Sequence, residues 1–346
     1  MFQHHPSFAR HKLVTARHDE ASGLSAIIAV HDDSRGPAIG GCRISPYATP
    51  DAALNDVLRL SRGMTYKTAI ADIPYGGGKA VIIADPRTDK TRALLEAMGD
   101  FVESLDGAYI TSFDSGSTLD DVRTIGTRTR FSAGTLPEAG DASQSTAEGV
   151  FVCMRAAAEL ALGRPTLEGC RVAVQGVGNV GRRLVRLLAD AGAHIQLADA
   201  NENLARAVAA ETGASLCGVD DVHRIDADIF SPNALGAVLN ERSIPELKAK
   251  VVVGGANNQL ATPADDLRLR AAGITYCPDF LANAGGIVNL HYQRSTWSPA
   301  RLGDHIEGLA GTFREIFETA AKSGAGMGSV ANAIAEDRIR AAGGQR

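Results

Sequence analysis

The sequence predicts an α/β fold in two domains, and three observations support this prediction. The chain has 346 residues, more than most single domains need. Short β-branched apolar runs alternate with segments whose apolar residues recur at helical spacing. A stretch rich in Gly, Ser, Pro and Ala, residues 132–144, separates two such series and is typical of a hinge. We therefore expect an α/β domain over 1–135, a second domain over 145–300, and C-terminal helices over 301–346 that pack back toward the first domain.

The first series contains three predicted strands and three predicted helices. The strands are the apolar runs 25–31, 79–84 and 108–112. The helices are one that follows Thr49-Pro50, one over 91–105, and one that begins after Thr118. A threonine can accept a hydrogen bond from the first helical turn, and proline is tolerated there, so these residues indicate helix starts.

Composition and charge exclude several classes of function. The net charge is −5, which gives no basic surface for nucleic acid or an anionic membrane. No apolar run approaches the roughly 18 residues of a membrane span. The five cysteines are scattered without a CxxC pair, and the nine histidines show no ligand spacing. We expect a cytoplasmic protein without a metal site.

The second series opens with a dinucleotide-binding pattern. A predicted strand, RVAVQ, runs into Gly176-x-Gly178-x-x-Gly181, then a helix, then a second strand that ends at Asp199. Glycines at this spacing allow a tight turn and close approach of the backbone to a pyrophosphate. Val180 lies within this turn, and the helix N-terminus at Asn179 offers free N–H groups. The pattern predicts a Rossmann-type, doubly wound parallel sheet.

The rest of the second series continues the alternation. Its predicted elements are a helix over 145–162, strand-like runs at 228–230 and 250–254, and tail helices over 300–341 with a break at 323–329.

The acidic residue Asp199 favours NAD over NADP. Its carboxylate would accept hydrogen bonds from the adenosine ribose and would repel a 2′-phosphate. Two other interpretations stay open: the glycines form a turn without a ligand, and Asp199 is a solvated loop acid. The nearby arginines Arg182, Arg183 and Arg206 also leave room for phosphate binding.

Two lysines stand in an apolar, glycine-rich stretch of the first domain. Asp72 is the only charged residue between Lys67 and Lys79, and Gly76–Gly78 immediately precedes Lys79. Desolvation and a neighbouring cation would favour a neutral lysine that acts as general base, while glycines would let the chain turn tightly. Asp114, after the strand 108–112, is a candidate for proton transfer. A structural Lys–Asp ion pair is the alternative.

Several motifs together resemble the glutamate/leucine/phenylalanine/valine dehydrogenase family, most closely its leucine and phenylalanine branch. They cover nearly the whole chain and are GPAIGGCR (36–43), GMTYK (63–67), IPYGGGKAVIIADP (73–86), YITSFDSG (109–116), VAVQGVGNVG (172–181), ALGAVLN (234–240), GGANNQL (254–260) and PDFLANAGGIVN (278–289). The resemblance implies an N-terminal substrate and oligomerisation domain, a C-terminal NAD domain and a homo-oligomer of two to eight subunits.

The resemblance also implies roles for individual residues. Lys79 corresponds to the catalytic general base, Asp114 to the catalytic aspartate, and Lys67 to the lysine that binds the substrate α-carboxylate. Further substrate contacts are implied at Gly40, Met64 and Asn258. Further cofactor contacts are implied at Thr146, Ala234 and Asn257.

The implied reaction is the reversible, NAD-dependent oxidative deamination of an L-amino acid to a 2-oxo acid and ammonia. The alternatives are an NAD-binding regulatory or sensor protein on the same fold, and a different NAD enzyme such as a shikimate-type dehydrogenase. Joint retention of Lys67, Lys79 and Asp114 counts against a sensor, and GGANNQL counts against the other enzyme.

The side-chain pocket is expected to be apolar. Glutamate-specific relatives carry a lysine where this chain has Ile39, and an aliphatic residue there would leave a substrate carboxylate unpaired. Ser112, Ile287 and Leu290 correspond to the remaining pocket positions. We expect leucine, valine, isoleucine or phenylalanine as substrate. The sequence does not rank these four, because a methylene changes pocket affinity by only about 1–3 kcal/mol.

Two local departures from the family pattern affect these expectations. Phe113 and Ser115 flank Asp114, and an aromatic residue there could narrow the pocket. The segment 140–146 lacks the two prolines that the family carries, which is expected to loosen the loop on the cofactor side.

Overall fold

The computed structural model describes residues 2–234 and 236–344. By contacts between Cα atoms, the chain divides into two compact units. The first unit comprises the chain up to Gly140, the segment Leu290–Trp297 and the segment from Ala335 onward. The second unit comprises Asp141–Asn289 and Ser298–Ile334. The domain ranges expected from the sequence stay predictions.

The first unit is built on a five-stranded sheet. Its strands are β1 (Leu13–Asp19), β2 (Leu24–Asp32), β3 (Ala38–Ser45), β4 (Gly76–Ile83) and β5 (Tyr109–Phe113). Their order across the sheet is β1-β2-β4-β3-β5. Strands β4, β3 and β5 are parallel, whereas β1 and β2 add to the sheet as antiparallel strands. The helices of this part are α1 (Pro50–Ile70), α2 (Arg92–Glu103) and α3 (Leu119–Gly126).

The two faces of this sheet bury different helices. One face packs against α1 and contains Ile27, Ala29 and Val81 with Val57 and Leu58 of the helix. The opposite face packs against α2 and α3, and its cluster includes Ile28, Cys42, Ala80, Ile82 and Tyr109. Because successive strand residues point to opposite faces, Lys79 lies on the α1 face with Val81.

The triple glycine is not a tight turn, and that expectation is wrong. Gly76–Gly78 forms the first part of β4, and these residues pair with β2 and β3. A Cβ atom built at Gly77 would lie 2.0 Å from the backbone nitrogen of Thr65 on α1. Gly77 therefore allows α1 to pack directly on the strand backbone, whereas Cβ atoms at Gly76 and Gly78 would meet Asp32 and Tyr109.

The second unit contains a six-stranded parallel sheet. Its strands are β6 (Arg171–Gln175), β7 (His194–Ala198), β8 (Ser215–Leu216), β9 (Ile229–Pro232), β10 (Val251–Val252) and β11 (Thr275–Tyr276). Their order is β11-β10-β9-β6-β7-β8, and every pairing is parallel. Strands β7 and β8 extend the sheet on one side of β6, and β9, β10 and β11 extend it on the other side. This order confirms the doubly wound sheet.

The helices after Gly140 complete the chain. They are α4 (Ala142–Leu162), α5 (Asn179–Asp190), α6 (Glu202–Thr212), α7 (Ala264–Ala271), α8 (Asp279–Ala282), α9 (Gly285–Arg294), α10 (Pro299–Ser323) and α11 (Met327–Gly343). In the described part of the chain, no helix is long and apolar enough to cross a membrane.

Several helix starts are confirmed in detail. The side chains of Thr49, Thr91 and Thr118 accept hydrogen bonds from the first turns of α1, α2 and α3. Helix α4 begins three residues earlier than expected, because the Asp141 carboxylate accepts a hydrogen bond from Ser143 N and caps it.

Candidate active site

Lys79 and Asp114 are in direct contact on the α1 face of the first sheet. The Lys79 side-chain nitrogen lies 2.8 Å from Asp114 Oδ2. The Lys79 side chain is only 8% exposed, whereas the Asp114 side chain is 22% exposed. A buried ammonium next to a partly open carboxylate has the composition of a proton-transfer site.

Gly41 provides the space for this contact. Strand β3 lies between β4 and β5, and Gly41 is paired with Ser112. A Cβ atom at Gly41 would lie 2.5 Å from the Phe113 carbonyl oxygen and 2.8 Å from Asp114 Cβ. Any side chain at this position would therefore displace the start of the Asp114 loop.

Arg43 and Asp56 extend the charged cluster, and the sequence reasoning did not assign them a role. Arg43 Nε donates to Asp114 Oδ2 at 3.2 Å, and Arg43 Nη1 donates to Asp56 Oδ2 at 2.9 Å. The Tyr47 hydroxyl donates to the same Asp56 oxygen at 2.6 Å. The arginine of the motif GGCR was the available signal in the sequence, but its two partners, one on α1 and one directly after β5, are brought to it only by the fold.

The cluster holds Asp114 in its ionised form. Burial alone would raise the pKa of the Asp114 carboxyl, but the Lys79 ammonium and the Arg43 guanidinium together bring that pKa below its ordinary value. Asp114 is therefore a carboxylate at neutral pH and can accept a proton or a hydrogen bond.

Helix α1 carries Lys67 and Met64 to this part of the sheet. A Cβ atom at Gly40 would lie 3.3 Å from Met64 Cγ, so Met64 packs on β3 at Gly40. Lys67 is half-buried in the last turn of α1, three residues after Met64. The end of the helix is fixed by Arg338, which donates to the Ile70 carbonyl oxygen at 2.8 Å.

Ile39, Ser112 and Leu290 are the buried pocket candidates of the first unit. Ile39 pairs with Ile110 and Gly41 with Ser112, so Ile39 and Ser112 share the face that carries Lys79. A Cβ atom at Gly134 would lie 3.0 Å from Ser112 Oγ and 3.1 Å from Leu290 Cδ2. The Ser112 and Leu290 side chains therefore converge next to Gly134.

Helix α9 carries two of the pocket candidates, Ile287 and Leu290. Ile287 precedes Leu290 by one turn of α9, and both are buried. The Ser112 hydroxyl is buried without a hydrogen-bond partner among the described residues.

Phe113 points away from the face that carries Lys79. It pairs with Cys42, which belongs to the apolar cluster under α2, whereas the neighbouring Ser112 belongs to the Lys79 face. Asp114 N donates to Ser117 Oγ at 2.9 Å, and Ser117 Oγ donates to the Cys42 carbonyl oxygen at 2.7 Å. A Cβ atom at Gly134 would nevertheless lie 3.7 Å from Phe113 Cδ1, beside the Ser112 and Leu290 side chains, so the expectation that Phe113 narrows the pocket stays a prediction.

The glycine turn of the second unit has the geometry of a dinucleotide site. Gly176 has φ +89°, and a Cβ atom there would lie 2.7 Å from Ala234 Cβ. A Cβ atom at Gly181 would lie 2.0 Å from the Gly176 carbonyl oxygen. At Gly178, by contrast, a Cβ atom would meet no atom within 4 Å. Packing explains the first and third glycines, and an open surface lies at the second.

That open surface adjoins uncapped N–H groups. Gly178 is the N-cap residue of α5 and provides no side-chain cap, so the first-turn N–H groups from Asn179 onward face outward. An uncapped helix N-terminus beside an open glycine fits the pyrophosphate of a dinucleotide.

Asp199 lies next to this turn, at the end of β7. Its Oδ2 accepts a hydrogen bond from Val177 N at 2.8 Å, and its Oδ1 accepts one from Asn201 N at 2.8 Å. A carboxylate offers about four acceptor positions, so two of them stay available for ribose hydroxyls.

The three arginines that left room for phosphate binding have protein partners. Arg182 donates to Asn179 Oδ1, Arg183 pairs with Asp141 at 2.9 Å, and Arg206 pairs with Glu202. The Arg183–Asp141 pair also ties the segment 140–146 to α5, which opposes the loosening expected from the missing prolines.

The remaining cofactor candidates lie after β6, β9 and β10 or on α4. A Cβ atom at Gly255 would lie 2.9 Å from Val180 Cγ1, so Val180 packs on the segment after β10. Asn257 and Asn258 are exposed on that segment, and Asn258 has φ +53°. Thr146 Oγ1 donates to the Ala142 carbonyl oxygen at 3.0 Å.

Comparisons with known proteins agree with this arrangement. The profile of the Glu/Leu/Phe/Val dehydrogenase dimerisation domain matches residues 8–130. The profile of Glutamate/Leucine/Phenylalanine/Valine dehydrogenase matches residues 140–201 and 195–346.

Individual relatives match over most of their length. Leucine dehydrogenase of Bacillus subtilis is 42% identical over 324 residues, which cover 93% of this chain and 89% of the relative. Phenylalanine dehydrogenase of Lysinibacillus sphaericus is 45% identical over 291 residues, which cover 82% and 76%. The crystal structure of L-tryptophan dehydrogenase from Nostoc punctiforme superposes with a TM-score of 0.85, at 40% identity and 97% coverage of both chains.

The fold, the site and these relatives define an amino-acid dehydrogenase, an oxidoreductase. The chain belongs to the Glu/Leu/Phe/Val dehydrogenase family. Membership of a dehydrogenase family implies a nicotinamide cofactor, and the glycine turn with its uncapped helix fits one.

Proposed function

We propose that this protein catalyses the NAD-dependent, reversible oxidative deamination of an apolar L-amino acid to the 2-oxo acid and ammonia. The observation that carries the proposal is the buried contact between Lys79 and Asp114, 2.8 Å apart. It joins the two groups that the reaction needs for proton transfer in a protein of this family.

The residues of the first unit supply binding and proton transfer. Lys67 holds the substrate α-carboxylate as a positive charge on α1, next to Met64 and the backbone of Gly40. A nicotinamide cofactor held by the second unit would supply the hydride acceptor for the substrate Cα–H bond, and oxidation of that bond would convert the neutral amine of the substrate to an iminium. Lys79 in its neutral form takes a proton from water as the oxygen adds to the iminium carbon. Asp114, a carboxylate, receives from Lys79 the proton taken from water and passes it to the nitrogen of the carbinolamine. Lys79, neutral again, accepts the hydroxyl proton as the C–N bond breaks, the C=O bond forms and ammonia leaves.

Residues of the second unit hold the cofactor. Gly176, Gly178 and Gly181 with Asn179 and Val180 surround the pyrophosphate. Asp199 accepts from the adenosine ribose, and its charge favours NAD over NADP. The remaining proposed contacts, toward the nicotinamide end, are Thr146, Ala234, Asn257 and Asn258, with Asn258 also near the substrate.

The substrate pocket is proposed to take an apolar side chain. Ile39, Ile287 and Leu290 are all buried aliphatic residues. The relatives act on leucine, phenylalanine and tryptophan according to their names, so a range of apolar side chains is consistent with the family.

We further propose a cytoplasmic homo-oligomer. All five cysteines are free thiols, which suits a reducing compartment. The matched profile of the N-terminal half is described as a dimerisation domain.

The test is NADH formation at 340 nm across a panel of L-amino acids at alkaline pH. Wild type, Lys79→Ala and Lys322→Ala are compared, since Lys322 is an exposed lysine on α10. We expect activity on at least one of leucine, valine, isoleucine and phenylalanine. Lys79→Ala should lose about 100- to 10,000-fold, as for a proton-transfer group, and Lys322→Ala should show no change. Absence of activity on the whole panel with wild type, or full activity in Lys79→Ala, would contradict the proposal. NADP in place of NAD tests the cofactor preference in the same assay.

A further inference from the structure

We propose that Arg43 is a positioning residue that holds Asp114 beside Lys79 and thereby sets the lower pH limit of the reaction. This inference rests on the proposed function. It assigns a role to a residue outside the substrate and cofactor contacts, acting through Asp114.

Arg43 is held at both ends of its guanidinium. Nε donates to Asp114 Oδ2 at 3.2 Å, and Nη1 donates to Asp56 Oδ2 at 2.9 Å. Asp56 is itself fixed by the Tyr47 hydroxyl at 2.6 Å. The Arg43 and Asp56 side chains are 27% and 28% exposed, so water screens these charges only partly. The result is a fixed cation beside Asp114.

Arg43 and Lys79 compete for the same carboxylate oxygen. Both donate to Asp114 Oδ2. A carboxylate with Lys79 as its only partner would favour the protonated lysine, which cannot act as a base. The positive charge of Arg43 offsets part of the Asp114 charge, so loss of Arg43 is expected to strengthen the attraction between Asp114 and a protonated Lys79.

The other charged or titratable groups around Asp114 come from each neighbouring element. Strand β4 contributes Lys79, strand β3 contributes Arg43 and the Cys42 thiol, and the turn after β3 contributes Tyr47. Helix α1 contributes Asp56 directly and carries Lys67 in its last turn. Asp56 offsets part of the Arg43 charge, so the two residues should affect Lys79 in opposite directions.

The opposite effects of Arg43 and Asp56 distinguish a positioning role of Arg43 from a purely structural role. If Arg43 served only to tie α1 to β3, its loss would reduce stability and activity without moving the pH dependence. If Arg43 acts through Asp114, its loss moves the pH dependence upward, and loss of Asp56 moves it downward.

The experiment compares wild type, Arg43→Gln, Arg43→Lys and Asp56→Asn, with Arg128→Gln as control. Arg128 forms an ion pair with Asp100 on the surface at 2.9 Å and is remote from the cluster in sequence and contacts. Two readouts are recorded against pH: kcat/KM for NAD-linked oxidation of the best amino acid, and the rate of Lys79 acetylation by acetic anhydride, measured by mass spectrometry. The second readout follows the neutral lysine without requiring turnover.

In Arg43→Gln, we expect the acidic limb of kcat/KM and the acetylation midpoint to move upward by about one pH unit, which is about a tenfold loss on the acidic side. Arg43→Lys should restore both toward wild type, Asp56→Asn should move both downward, and Arg128→Gln should move neither. Unchanged midpoints in Arg43→Gln and Asp56→Asn would overturn the inference even if activity falls.

Two further outcomes are also decisive. If Arg43→Gln does not fold, the sign of the Asp56→Asn shift decides, and an upward or absent shift overturns the inference. If wild type shows no dehydrogenation, the proposed function fails, while the acetylation midpoints still decide whether Arg43 controls Lys79.

Discussion

The Lys79 side-chain nitrogen on β4 lies 2.8 Å from Asp114 Oδ2 at the end of β5, although β3 runs between these strands. Two strand spacings are about 9.6 Å, which a lysine side chain can bridge only if nothing stands in its path. Gly41 on β3 leaves that path open, because a Cβ atom there would be 2.8 Å from Asp114 Cβ. The contact therefore depends on the absence of a side chain in the middle strand.

Gly41→Ala should abolish most of the activity. The added methyl group must push the Phe113–Asp114 backbone outward, and a displacement near 1 Å can cost on the order of 100-fold in rate. We expect that loss in kcat. The control is Gly303→Ala on α10, where a Cβ atom meets nothing within 4 Å. That variant should keep its activity and gain about 0.5–1 kcal/mol of unfolding free energy. Wild-type kcat in Gly41→Ala would show that the contact tolerates a wider separation.

Ser112→Ala should stabilise the protein and leave turnover of apolar substrates intact. The buried Ser112 hydroxyl has no hydrogen-bond partner among the described residues, and a buried unpaired polar group costs about 1–3 kcal/mol. We expect a higher denaturant midpoint and an equal or several-fold higher kcat/KM for leucine or phenylalanine. Ser115→Ala, at an exposed position, is the control and should change neither. A lower midpoint in Ser112→Ala would mean that the hydroxyl has a favourable partner.

The stability of the first unit should fall as the pH drops from about 6.5 to 4, because of His31. Burial, with a smaller effect of the neighbouring His11, lowers the pKa of His31 to about 4. The folded state therefore favours the neutral ring, whereas the unfolded chain takes up a proton below its ordinary pKa of about 6.5. The stabilisation is complete above that value and is lost progressively below it, by at most about 3 kcal/mol at pH 4.

His31→Gln checks this expectation by denaturant midpoints at pH 7, 6 and 5. His31 Nδ1 contacts Thr65 Oγ1 at 2.9 Å, and glutamine can keep a hydrogen bond there without titrating. We expect a flatter pH dependence than in wild type. His18→Gln, at an exposed position, should leave the wild-type slope unchanged. Equal slopes in all three proteins would assign the acid sensitivity to other groups.

The sequence was sufficient for the elements with strong local signals. The caps at Thr49 and Thr118 and the strand–glycine–helix unit around Gly176 follow from short-range chemistry, and they are found as expected. Strand β3 was not foreseen, because its central glycines, Gly40 and Gly41, break the apolar pattern. The position of Gly76–Gly78 within a strand does not follow from the sequence, because these glycines accommodate tertiary contacts with β2, α1 and β5.

The candidate site follows the same division. Lys79 and Asp114 were found through their motifs. Arg43 was not, because its contact with Asp114 depends on the pairing of β3 with β5, and its contact with Asp56 depends on the packing of α1 on the sheet. Pairing across a sheet with non-sequential order is a long-range property that no local pattern contains.

The chain passes between the two units four times, at 140/141, 289/290, 297/298 and 334/335. The segment Leu290–Trp297 and the segment from Ala335 onward are bonded to the rest of the first unit. Gln293 accepts a hydrogen bond from Leu136 N, and Arg338 donates to the Ile70 carbonyl oxygen at the end of α1. A gene fragment that ends near Gly140 therefore encodes an incomplete half, with the end of α1 left without its arginine. To exchange the first unit between relatives, recombination would have to replace its three separate chain segments together. Substrate specificity in such a chain is therefore more readily altered by point substitution than by domain exchange.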